Sequence, residues 1–208
     1  MNAMHLRAEL PNATIDLTLD AQGPALYPLG TGWMPFLGGE SYYCSLPALK
    51  TRGVIALDGR RHDVSGESWL DRQWGDWDWS QAGKWTWMAL QLSNGDKINL
   101  WDSFESSGQQ RHATVLHADG TQEVVEVEPL APDTTGWWTS PYSNKRYGTK
   151  WKVRIPQLDA ELNVSADATE QEVQAQGGIY EGASTVSGSL GGKPVSGNAF
   201  VEQLGDWR

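Results

Sequence analysis

Lys84-Trp85-Thr86-Trp87-Met88-Ala89-Leu90-Gln91-Leu92-Ser93-Asn94-Gly95-Asp96-Lys97-Ile98-Asn99-Leu100-Trp101-Asp102-Ser103-Phe104 holds two alternating runs separated by one turn. In an extended chain, successive side chains point to opposite faces. Met88, Leu90 and Leu92 then share one face, and Trp85, Trp87 and Ala89 the other. In the second run Ile98, Leu100, Asp102 and Phe104 fall together, with Trp101 opposite. Asn94-Gly95-Asp96 supplies turn chemistry for a hairpin. Both faces of the first run carry bulky apolar groups, so it must be covered on both sides. One side points into a core; the other needs a loop, a strap or a partner surface.

Outward from this hairpin, period-two runs recur at 13–19, 42–57, 60–72, 111–118, 121–128, 149–156, 159–166, 179–190 and 193–203. Asp58-Gly59, Asp119-Gly120 and Gly191-Gly192 read as further hairpin turns. No amphipathic helical stretch of comparable length interrupts them. The pattern predicts an all-β, antiparallel barrel with long covering loops, since closure removes exposed sheet edges. Residues 20–40 are rich in Gly and Pro and read as a loop or strap. Residues 129–148, with Pro129, Pro132, Gly136, Trp137, Trp138, Pro141 and Tyr142, read as a second irregular insertion that covers a site or plugs one end. The domain reading is an N-terminal strand and strap over 1–40 and a barrel over 41–208.

Composition narrows the function. The 208 residues suffice for one good-sized domain or two cramped ones. A net charge of −10 repels phosphate backbones and anionic lipid, which argues against nucleic-acid and membrane-surface roles. No apolar run is long enough to span a bilayer. The single Cys44 excludes an intrachain disulfide framework, and four His without metal-site spacing give no metal site. Residues 1–10 lack a signal-peptide pattern, so the expected location is cytoplasmic, or periplasmic or secreted if a leader precedes them.

The candidate chemistry centres on Asp102. A carboxyl among Ile98, Leu100 and Phe104 has its charged form disfavoured and can act as an acid on an alkene, carbonyl or polyene. The competing reading is a structural salt bridge to Arg72, which shares a face with Leu70 and Trp74. No Gly-x-Ser-x-Gly elbow, Cys-His arrangement or phosphate loop is present.

Ser41-Tyr42-Tyr43-Cys44-Ser45-Leu46-Pro47, then Val64 to Gly75 with its Gly66-x-x-Trp69-x-Asp71-x-x-Trp74 pattern, then Trp85 to Leu92, Tyr180-Glu181-Gly182 and Val195 to Glu202 follow in order. Over residues 40 to 204 the chain resembles the lipocalin-like family of carotenoid 1,2-hydratases and AttH-type proteins, which includes pericyclic cyclases (Diels–Alderases). The resemblance implies a lipocalin-like, calycin-type barrel that is either the second of two β-domains, with residues 1–40 a remnant of the first, or a reduced one-domain relative. It also implies a homodimer or a partner β-domain as a candidate association. It implies cyclisation or hydration of a terpenoid, polyene or polyketide-like substrate without a metal or organic cofactor. Asp102 corresponds to the family's Asp. Arg72 stands where the hydratases have a His; always protonated, it can hold Asp102 or an oxyanion but cannot shuttle a proton.

Two functions follow. The first is a cofactor-free enzyme with Asp102 as acid and Arg72 as its orienting partner. Trp74, Trp87, Trp101, Tyr180, Trp137 and Trp138 are its candidate substrate-binding residues. The alternative is a lipocalin-like carrier that holds an apolar small molecule without changing it.

Overall fold

The computed structural model describes residues 3–208, apart from 82, 107, 175 and 176. Its strands are β1 (Met4–Leu10), β2 (Ala13–Ala21), β3 (Trp33–Phe36), β4 (Gly39–Leu57), β5 (Arg60–Asp76), β6 (Gly83–Leu92), β7 (Lys97–Glu105), β8 (Gly108–Leu116), β9 (Gln122–Glu126), β10 (Thr134–Thr139), β11 (Arg146–Ile155), β12 (Ala160–Ala166), β13 (Glu172–Val173), β14 (Ile179–Leu190) and β15 (Lys193–Leu204). The all-β, antiparallel architecture expected from the alternation is present. Among the described residues no helix is long and apolar enough to cross a membrane. The chain forms two compact units, residues 1–26 with 44–72, and residues 27–43 with 73–208. β4 and β5 contribute residues to both.

In the first unit β1 and β2 form a hairpin closing at Leu10 and Ala13. β2 then pairs with β4 from Ala13 opposite Leu57 to Ala21 opposite Leu49. Leu17, Leu19 and Leu49 form the core, with Ile15, Leu46 and Ile55 packed against it. The Trp69-x-Asp71 piece has a structural role here. Asp71 accepts the Ser45 hydroxyl at 2.6 Å and the Trp69 indole N–H at 2.7 Å. Two of the stretches that carry the family resemblance are therefore joined side chain to side chain.

The second unit is built on one sheet in the order β10-β11-β12-β14-β15-β6-β7-β8-β9. The sheet curls until the Glu128 amide, just past β9, donates to the Arg154 carbonyl of β11 at 3.1 Å. Met88, Leu90, Ile98, Leu100, Val153 and Leu162 fill the interior and are fully buried. Each such side chain contributes roughly 1.5–3 kcal/mol. The Gly191-Gly192 turn has φ of 57° and 70°, both left-handed, as a type I′ hairpin requires. That turn fixes the long register between β14 and β15.

Residues 27–43 are the cover that the two-sided β6 requires. The Leu29 amide bonds Thr114 Oγ1 at 3.0 Å, the Leu37 amide bonds the Glu105 carboxylate at 2.8 Å, and Asn99 donates to the Tyr43 hydroxyl at 3.1 Å. The strap contains a strand that its Gly and Pro content conceals, because β3 pairs with the start of β4 from Trp33 opposite Tyr42 to Phe36 opposite Gly39. The insertion at 129–148 likewise contains β10. Its pairing with β11 shifts register around Gly136, which breaks the alternation that would reveal it.

Candidate active site

The site is on the outer face of the second unit's sheet, beneath the strap. Alternation puts Trp85 and Trp87 of β6 and Trp101 of β7 on this face, opposite the interior Met88 and Leu100. Phe36 descends from β3 and is the hub of an aromatic cluster. Its ring centroid is 5.3 Å from Trp77, 5.5 Å from Trp85, 6.3 Å from Trp101 and 6.4 Å from Trp79. Trp77 and Trp79 follow β5 and are held by a turn in which Asp78 accepts the Ser80 amide at 2.8 Å and its own amide donates to the Leu37 carbonyl at 3.1 Å. These rings, with Gln73, Ile179, Glu202 and Leu204, enclose a cavity of about 230 Å³. Trp79 at its rim is 60% exposed, so the cavity has a mouth.

One wall of this apolar space carries the Glu202 carboxyl, which has a second carboxyl as its cross-strand neighbour. Glu181 of β14 and Glu202 of β15 are cross-strand partners and both are half-buried. The Trp85 indole N–H donates to Glu202 at 2.6 Å. Burial, the neighbouring Glu202 charge and a hydrogen bond to Glu202 push the Glu181 carboxyl up to about 8. At neutral pH the pair therefore holds one proton. Such a pair can give a proton to a substrate oxygen or take one from a substrate carbon.

Deeper on the same face, His112 of β8 lies opposite Trp101 in register. The His112 Nε2 and the Trp101 Nε1 are buried with no hydrogen-bond partner among the described residues. Burial pushes the His112 imidazole down to about 4, so it is neutral at physiological pH. A folded value below the unfolded one means that the unfolded chain takes up the proton first, and stability is lost as pH falls from about 6.5 toward 4. Glu181, raised by folding, has the opposite slope, so a His112→Leu variant isolates the imidazole. Urea unfolding of both proteins should show the wild type losing about 2 kcal/mol relative to the variant between pH 7 and pH 5. Parallel curves would place His112 in contact with water.

The residues singled out from sequence are distributed over several places. Trp101 lines the cavity, and Trp87 is its register partner on the same face. Trp137, Trp138 and Tyr180 come together in a second cluster with Tyr147 and Trp207, where Trp138 stacks on Tyr147 at 6.2 Å. Trp74 is half-exposed and stacks on Tyr42 at 6.1 Å. Arg72 belongs to the first unit and is exposed. Asp102 belongs to the second and faces the barrel interior, fully buried. Its oxygens accept Gln109 Nε2 at 3.1 Å and the Leu130 amide at 3.0 Å, tying the insertion to β7. Among the described residues no cluster of His, Cys, Asp and Glu could hold a metal.

Glu181 and Glu202 were missed as a pair, although the sequence contains the signal. Glu181 lies nine residues before Leu190 and Glu202 nine after Lys193, and these two flank the Gly191-Gly192 turn as partners. A two-residue hairpin therefore sets the carboxyls opposite one another.

A family model described as AttH-like matches residues 1–206. The dehydratase asqC of Emericella nidulans is 29% identical over 213 residues, covering 96% of this chain and 60% of the relative. Kievitone hydratase of Fusarium solani subsp. phaseoli is 27% identical over 209 residues, covering 92% of this chain and 57% of the relative. The chain thus spans about three fifths of the length of these curated relatives. Among solved structures, kievitone hydratase from Nectria haematococca superposes with a TM-score of 0.88 at 27% identity, over 99% of this chain and 65% of that one. An AttH protein from Nitrosomonas europaea superposes at 0.83 with 23% identity over the same shares, a likeness of fold.

Proposed function

The chain belongs to the AttH-like family, and from that premise we propose that its aromatic cavity hydrates or dehydrates a largely apolar small molecule, with the Glu181–Glu202 pair handling the proton. Hydration and dehydration are one reaction run in two directions, so relatives named for each support a single chemistry. The observation that carries the reading is the Glu202 carboxyl in the wall of a Trp- and Phe-lined cavity, paired across the strands with Glu181 and bonded to an indole donor. The aromatic walls bind the apolar body of a terpenoid, polyene or polyketide-like substrate and stabilise positive charge that develops on it. Asp102, with its oxygens engaged by Gln109 and the Leu130 amide, holds the insertion in place and takes no part in this chemistry.

Titration of intrinsic Trp fluorescence with a panel of such compounds, combined with product analysis across pH, tests this reading. Trp77, Trp79, Trp85 and Trp101 should be quenched by a bound ligand. Turnover should fall tenfold per unit above pH about 8, where the pair loses its shared proton. Quenching without any product at any pH would leave a carrier. A cyclisation driven by cavity shape alone would proceed without a pH dependence in this range.

A further inference from the structure

Beneath the strap, β7 and β8 present rows of cross-strand partners. In one row Asn99 lies opposite Thr114, and the strap engages both. The Tyr43 hydroxyl accepts from Asn99 at 3.1 Å, and Thr114 Oγ1 accepts from the Leu29 amide at 3.0 Å. The next row on the same face pairs Trp101 with His112, and here the strap contributes rings. Phe36 lies 6.3 Å and Tyr43 6.2 Å from the Trp101 ring, both edge to face. Trp101 is 3% and His112 6% exposed, and neither the indole Nε1 nor the imidazole Nε2 has a hydrogen-bond partner among the described residues. Buried polar groups left in this way oppose folding, so two in adjacent positions call for a reason. Trp101 also lines the aromatic cavity, as Trp85 does. The Trp85 N–H is committed to Glu202 and the Gln73 amide N–H to Ser41, whereas the Trp101 N–H meets no described acceptor. Burial keeps the His112 imidazole neutral.

We propose that Trp101 and His112 are specificity-determining residues whose ring nitrogens hold one oxygen of the ligand, so that the cavity selects ketones or alcohols over hydrocarbons of the same skeleton. The inference rests on the reading of the cavity as a small-molecule site and names the substrate class within it. An indole N–H only donates, so the atom it holds is an acceptor. A neutral imidazole offers a donor or an acceptor at Nε2 according to its tautomer. A carbonyl oxygen takes a bond from each ring; a hydroxyl accepts from the indole and donates to the imidazole. Directly opposed residues of an antiparallel pair have β-carbons about 4.5–5.5 Å apart, so two such rings can converge on a single atom. A hydrocarbon in the same place leaves both nitrogens buried and unpaired, and that cost separates the two ligand classes. An apolar cavity without this subsite has the reverse preference, because an oxygen entering it loses its hydrogen bonds to water and gains none.

The test uses the full chain and matched probes on two skeletons: limonene, carvone and carveol, and decalin, 2-decalone and 2-decalol. Affinities are read from Trp quenching in the wild type, Trp101→Phe and His112→Leu. In the wild type the ketone or the alcohol should bind more tightly than its hydrocarbon. A leading ketone means that the imidazole donates, and a leading alcohol that it accepts. Each variant should lower the ratio of oxygenated-probe affinity to hydrocarbon affinity by about five- to thirtyfold. Taking the ratio removes the loss of packing that a smaller side chain imposes on every probe. In ¹⁵N-tryptophan protein, the indole resonance that disappears in Trp101→Phe should move downfield with the preferred oxygenated probe and not with its hydrocarbon. A ratio unchanged in folded variants would overturn the proposal. If neither variant folds, the wild-type ratio and the indole shift decide. Hydrocarbons bound as tightly as their ketones and alcohols would overturn this inference and leave the small-molecule reading standing. Binding of none of the probes would count against that reading, and the inference would fall with it.

Discussion

Replacement of Glu202 by Gln should reduce turnover by about 10²- to 10⁴-fold, the usual contribution of a positioned acid or base. Ligand affinity should change by no more than a few fold. The amide keeps the size of the side chain and an oxygen for the Trp85 indole, which donates at 2.6 Å. It cannot accept a proton from carbon or return one to a leaving hydroxyl. The aromatic walls that supply most of the binding, Phe36, Trp77, Trp85 and Trp101, are untouched. Rates from product analysis and affinities from Trp quenching separate the two effects. A parallel loss of both would mean that Glu202 supports the shape of the cavity and not its chemistry.

The second large effect is on the scaffold that delivers the pair. Gly197 of β15 lies opposite Leu92 of β6. A Cβ added there would overlap the Gln91 backbone carbonyl, which has no flexible end to move aside. Gly197→Ala should force the two strands apart and cost about 3 kcal/mol. The same β15–β6 pairing sets Glu202 near the Trp85 indole, so the loss should extend to the site. Gly66 is an instructive contrast, because an added Cβ there meets open space. Gly66→Ala should be neutral or stabilise by about 0.5 kcal/mol through lower freedom in the unfolded chain. Urea unfolding of the two variants against wild type measures both, and equal effects would contradict the close strand approach at Gly197.

Much of this scaffold was readable from alternation and turns. The faces of β6 and β7 followed from period-two counting, including the placement of Trp101 opposite Asp102. The need for a cover over Trp85 and Trp87 followed from their bulk, and residues 27–43 supply it. β3 and β10 were hidden because Pro35 and Gly136 are loop residues by any local rule, while pairing with β4 and β11 is a long-range fact. The site was less legible. Alternation tells which side chains share a face, but not which face a strap will close over. Phe36, Trp77 and Trp79 lie in stretches with no strand signal of their own and gather only through the fold. Asp102 attracted notice because its sequence neighbours are apolar, a feature it shares with any polar group fixed in a barrel wall. Glu181 and Glu202 have ordinary neighbours in sequence, and their burial comes from the sheet.

The most direct measurement sets Glu202→Gln and Asp102→Asn side by side, with ligand binding verified in each and product formation measured at the same pH. If the carboxyl pair does the chemistry, the first variant loses turnover by at least about 10²-fold and the second stays within a few fold of wild type. Loss confined to Asp102→Asn, with Glu202→Gln fully active, would move the reaction into the barrel interior and contradict the assignment of the cavity.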